Sequence, residues 1–104
     1  MTAQEFATSI DRLLTRVGHW EQGRWWAHTP AGPTKADLAY GLVQHLADLC
    51  ADAEGRGHRT VPRLVDPVLP DQLRVTADDL LAADPGPDVF AGARAEVDAL
   101  RRVL

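Results

Sequence analysis

The stretch from Thr34 to Gly55, TKADLAYGLVQHLADLCADAEG, limits the fold more than any other part of the chain. It contains no proline, and it opens on Thr34 with Asp37 three residues later, a capping box built with the shorter acid. The spacing predicts a helix of roughly six turns at 3.6 residues each. Leu38, Ala39, Leu42, Val43, Leu46, Leu49, Cys50 and Ala53 fill an arc of about 140° on its wheel, wide enough to touch two neighbouring helices. Tyr40, Ala47 and Ala51 form a second, weaker apolar strip where a solvated helix would carry charges. That strip is expected to receive either a connecting segment or a second subunit.

The flanking segments read as partners for this helix. Thr2 and Glu5 match a capping box, and Phe6, Ile10, Leu13, Leu14 and Val17 then recur on one stripe, with Gly18 or Gly23 available to end the helix. His19 to His28, HWEQGRWWAH, has neither a helical nor a strand period, and Thr29-Pro30-Ala31-Gly32-Pro33 is a turn by composition. After Gly55, the run RGHRTVPRLVDPVL is too long for an ordinary bundle connection and too apolar for a free linker. It predicts an extended crossover anchored by Val61, Leu64, Val65 and Leu69. Pro70 and Asp71 suit a helix start, with Leu73, Ala77, Leu80 and Leu81 as its buried stripe. Asp84-Pro85-Gly86-Pro87 ends that helix, and Asp88 is expected to cap a last one with the stripe Val89, Ala93, Val97, Leu100 and Leu104 and with Arg101 and Arg102 in its final turn. The expected fold is all-α: a four-helix bundle, roughly up-down, with one long crossover between the second and third helices, formed by residues 1–104 as a single domain.

Composition narrows the function classes. A net charge of −4 works against a partner read through its phosphate backbone, so nucleic acid is not expected. All basic residues but Lys35 are Arg, which together with abundant Ala, Leu and Asp points to the coding bias of a GC-rich bacterial genome. Cys50 is the one cysteine, which excludes an intrachain disulfide and a Cys-based zinc site within one chain. The first residues lack the basic start and apolar core of a secretory signal, and no run of 18 apolar residues occurs. The expectation is a cytoplasmic protein that neither enters a membrane nor carries a cofactor.

Three groups of residues are candidates for a site. Trp20, Trp25 and Trp26, interleaved with Arg24, combine the residue types that dominate binding hot spots, and with Tyr40 they make the candidate interaction surface. The competing reading is a hydrophobic lid over one end of the bundle. His45 with Asp48 at i+3 and Asp52 at i+7 marks an edge where a metal would find imidazole and carboxylate ligands, joined by His19 or His28. A solvated border histidine explains the same spacing. Cys50 belongs with the core, and Arg56, His58, Arg59 and Arg63 concentrate positive charge in the crossover, either as a patch for an acidic partner or as solvating side chains.

The run TPAGPTKADLAYGLVQHLADL loosely resembles the start of the second helix in DinB-like bundles, the group that includes mycothiol-dependent isomerases. The corresponding residues are Thr29, Pro30, Thr34, Asp37, Leu38 and His45, and the resemblance implies a metal at His45. Gly41 stands where that pattern places its histidine, and no later pair of histidines shares a helix, so the chain is not assigned to the group. The leading expectation is a non-enzymatic protein–protein interaction or adaptor module that binds a protein partner or itself as a homodimer. The alternative is a small metal- or ligand-binding bundle, loosely DinB-like, using His45 and Asp48.

Overall fold

The computed structural model describes residues 2–104, and it is an all-α bundle. Its helices are α1 (Ala3–Val17), a single turn α2 (Gln22–Trp25), α3 (Lys35–Ala53), α4 (Leu69–Ala83) and α5 (Pro87–Val103). Helix α3 has the full reciprocal capping box: the Asp37 amide donates to Thr34 Oγ1 at 3.0 Å and the Thr34 amide to Asp37 Oδ2 at 3.3 Å. At α1 the Glu5 amide donates to Thr2 Oγ1 at 3.2 Å. That helix ends at Gly18 with ordinary right-handed geometry, φ −63°, so the expected left-handed glycine is not what stops it. Residues 69–83 end on Asp84 at φ 48°, and Pro85 follows. The next helix is entered through Gly86 at φ 109°, which takes the N-cap position expected of Asp88. Pro87 fixes its first residue, and Asp88 lies in the first turn beside the positive end of the dipole.

Each of α1 and α3 packs against both α4 and α5, with the α3–α4 and α1–α5 seams the more extensive. Helices joined by the short 84–86 turn thus share less surface with each other than each shares with α1 and α3. One apolar core draws Phe6, Ile10, Leu13 and Val17 from α1, Leu42, Val43 and Leu46 from α3, Leu73 and Leu80 from α4, and Val97 from α5. Phe90 is buried and meets Phe6 with ring centroids 5.7 Å apart, whereas Val89, expected in the stripe, is half-buried. Ala53 lies outside the core because the last turn of α3 runs past its neighbours.

The crossover departs most from expectation. Leu69 is buried and Val61 packs on the core edge, but Leu64 and Val65 are 49% and 69% exposed and anchor nothing. Polar side chains hold the segment instead. Gln44 of α3 donates to the Arg59 carbonyl at 2.9 Å and accepts from the Val61 amide at 2.8 Å. The Tyr40 hydroxyl donates to the Val61 carbonyl, and Gln72 of α4 donates to the Pro62 carbonyl at 3.0 Å.

Candidate functional site

The tryptophans divide between core and surface. Trp25 is fully buried and Trp20 is 8% exposed; their rings meet edge to face at 4.8 Å. The Arg24 guanidinium lies 4.8 Å from the Trp20 ring centre and the Lys35 ammonium 5.1 Å, so two cations cover what the helices leave of the indole. Both rings belong to the buried core. Trp26, the next residue, is 63% exposed. One helical step of about 100° is enough to turn neighbouring identical side chains to opposite environments. His28 is held in the 27–34 turn, with Nδ1 2.6 Å from the Gly32 carbonyl, and the backbone bridge between His28 and Thr34 returns the chain to α3.

The Tyr40, Ala47, Ala51 strip is covered by the crossover. Besides the Tyr40–Val61 hydrogen bond, the Arg63 guanidinium sits 4.8 Å from the Tyr40 ring centre and forms an ion pair with Asp37 at 3.1 Å. Asp37 is held below the usual carboxylate range, first by Arg63 and then by Thr34. Tyr40, half-buried, is therefore engaged with the crossover of its own chain.

The acidic edge of α3 is bridged by a histidine from the crossover, one that sequence spacing does not bring there. His58 Nε2 lies 2.6 Å from Asp52, and its Nδ1 lies 3.7 Å from Asp48. The hydrogen bond to Asp52, reinforced by the charges of both aspartates, raises the His58 pKa. Asp48 also accepts from Gln44 at 2.9 Å. His45 instead faces a groove of about 290 Å3 between α3 and α5, lined by Leu38, Leu42, Leu100 and Val103, with Glu96 as the other ionisable residue. The set His45, Asp48, His19 or His28 is not assembled, and among the described residues no group of three or more His, Cys, Asp or Glu is arranged to hold a metal.

Cys50 is 4% exposed and donates to Glu54 at 2.9 Å; burial, then that carboxylate, pushes the thiol pKa up. It is a core thiol, poor as a nucleophile.

The surface that sequence reasoning did not single out lies between the crossover and α4. Val61, Val68 and Val75 wall a hollow of about 320 Å3, and Val75 is 56% exposed. Its one signal in the sequence is the high apolar content of the crossover, which predicts buried anchors just as readily. Comparison of the chain with protein-family models, curated proteins and solved structures finds no match.

Proposed function

We propose that the protein is a non-enzymatic interaction module that docks a protein partner, or a second copy of itself, through the face formed by the crossover and α4. The observation that carries this reading is the valine-walled hollow, an apolar recess open to solvent on a chain that buries most of its large aliphatic side chains. Trp26 supplies a second exposed anchor of hot-spot type, and Leu64 and Val65 enlarge the apolar area of the crossover. Neither a nucleic acid nor a membrane surface belongs to this reading, given the net charge of −4 and the lack, among the described residues, of a helix long and apolar enough to cross a bilayer. A reducing, cytoplasmic setting is part of the reading, since the one thiol is buried and unpaired. Sedimentation velocity over a concentration series, together with partner capture, tests it. Val75→Asp is expected to abolish self-association or the capture of one defined protein while melting like the parent. A chain that stays monomeric and captures the same proteins with and without the substitution would overturn the proposal.

The groove beside His45 favours a second reading, a bundle that binds a small organic ligand. His45 and Glu96 give two donors, fewer than the three protein ligands that zinc takes, so an amphipathic molecule with one polar end suits the groove better than a metal. Stoichiometric metal in protein purified without a histidine tag would reverse that preference.

A further inference from the structure

The crossover runs over the small-residue strip of α3 and borders an open pocket of about 250 Å3 whose lining includes Ala47, Cys50 and Ala51. Its polar lining divides into groups already engaged and groups that are not. Arg56 is paired with Glu54 at 3.0 Å, the Cys50 thiol donates to the same carboxylate, and the Thr76 hydroxyl donates to the Gln72 carbonyl at 2.8 Å. Among the described residues, the side chains of Arg59 and Thr60 on the crossover and of Asp79 on α4 make no ion pair or hydrogen bond, and the Asp79 charge acts on the neighbouring Cys50 thiol. Arg59 and Asp79, both solvent-exposed and on different structural elements, thus line one small pocket without forming an ion pair with each other, beside the small side chains of Ala47 and Ala51. Of the other hollows, the one beside Trp20 mixes Arg16, His19 and Arg24 with Glu21 along one continuous stretch of chain from α1 to α2.

We infer that this pocket is a binding site for a small zwitterion, a molecule of the α-amino acid or short betaine class. Arg59 receives its carboxylate, Asp79 receives its ammonium, and Ala47 and Ala51 accept a short aliphatic body. A guanidinium matches a carboxylate through paired N–H donors, and an ammonium in turn donates to a carboxylate, so the two ends of such a ligand match two charged groups that make no ion pair within the protein. The volume equals that of about eight waters at ~30 Å3 each, which suits a small amino acid. The pocket shares Val61 and Thr76 with the valine-walled hollow proposed for docking, whereas Val75 lines only that hollow.

The test is an amide NMR titration of the full, isotope-labelled chain with glycine and L-alanine, and separately with acetate and methylammonium as the two halves of the ligand. At about 10 mM, where a millimolar site is close to saturated, the zwitterions are expected to shift the amides of Ala47, Ala51 and Thr60 saturably. Each half alone should bind at least tenfold more weakly. Arg59→Gln and Asp79→Asn, both at exposed positions, should each remove the glycine response while the melting temperature is unchanged. No saturable shift with either zwitterion, equal affinity for acetate and glycine, or full binding by both variants would each overturn the assignment.

Discussion

Trp25 and Trp26 are adjacent and identical in chemistry, and they should differ in stability effect by several kcal/mol. Trp25 has no exposed surface and packs edge to face on Trp20, whereas Trp26 is 63% exposed. Truncating a buried tryptophan to alanine costs about 3–5 kcal/mol, the sum of lost transfer energy and the cavity left behind. The aromatic pair with Trp20 belongs within that figure, at about 0.5–1.5 kcal/mol. Against a total stability of about 5–15 kcal/mol for a small domain, Trp25→Ala removes a large fraction of what holds the chain folded. At about 4–8 °C per kcal/mol for a chain of this size, melting should fall by more than ~12 °C. Trp26→Ala should stay within about 0.5 kcal/mol of the parent.

A third variant separates volume from polarity. The Trp25 indole N–H is buried without a hydrogen-bond acceptor, a group whose desolvation typically costs about 1–3 kcal/mol. Trp25→Phe removes that donor while keeping an aromatic ring, so its cavity cost is offset by relief of the orphan. The net loss should be less than half that of Trp25→Ala. Urea denaturation followed by circular dichroism at a helix wavelength is the suitable assay, since tryptophan fluorescence changes with the substitution itself. Equal midpoints for Trp25→Ala and Trp26→Ala would refute the division of the cluster, and a Trp25→Phe variant as unstable as Trp25→Ala would refute the argument about the indole N–H.

Three other perturbations follow from the way the connections are held. Gln44→Ala removes both hydrogen bonds to the crossover backbone and should cost about 1–3 kcal/mol, with hydrogen exchange at Val61 rising first. His58 has its pKa raised from 6.5 by Asp52 and Asp48, so its contribution to stability is fully present below the unfolded value and is lost as pH rises through the folded one. The stability difference between the parent and His58→Gln should therefore shrink on going from pH 6 towards alkaline pH, and a difference that grows would show that the ion pairs are not its cause. Gly86 holds φ 109° and ψ 167°, a region nearly confined to glycine, with nothing within 4 Å of the place an added methyl would take, so Gly86→Ala should lose about 1–3 kcal/mol through backbone strain alone, while Asp84→Gly at φ 48° should cost little or stabilise slightly. Paired urea titrations of these two variants against the parent check both signs.

The helices are legible because their signals are local. The capping box of Thr34 and Asp37, the period of Phe6, Ile10, Leu13 and Val17, and the Asp84–Pro87 breaker each act within a few residues, and the structure keeps each of them. Legibility fails where two environments are one helical step apart. Trp25 and Trp26, and likewise Val89 and Phe90, differ by a rotation that no composition reveals when the segment has no periodicity of its own or the stripe is short. His58 cannot be matched to Asp48 and Asp52 from spacing, since its place depends on the path the crossover takes after Gly55.

The crossover shows why an apolar pattern misleads outside regular structure. An extended segment has no ladder or helix to satisfy its amides and carbonyls, and such groups need partners wherever water is excluded. The face of α3 beneath it offers Ala47 and Ala51, too small to grip a side chain, and Tyr40 and Gln44, which reach backbone atoms. The segment is held through its main chain at Arg59, Val61 and Pro62 and through the polar side chains of His58 and Arg63, while Leu64 and Val65 beyond these points are exposed to solvent. Main-chain anchoring at small residues leaves room beneath the arch, and unanchored side chains leave apolar surface above it. Both the pocket and the proposed docking face are consequences of that one arrangement, so loosening it at Gln44 should weaken glycine binding and partner docking together, whereas Val75→Asp, which does not line the pocket, should affect docking more.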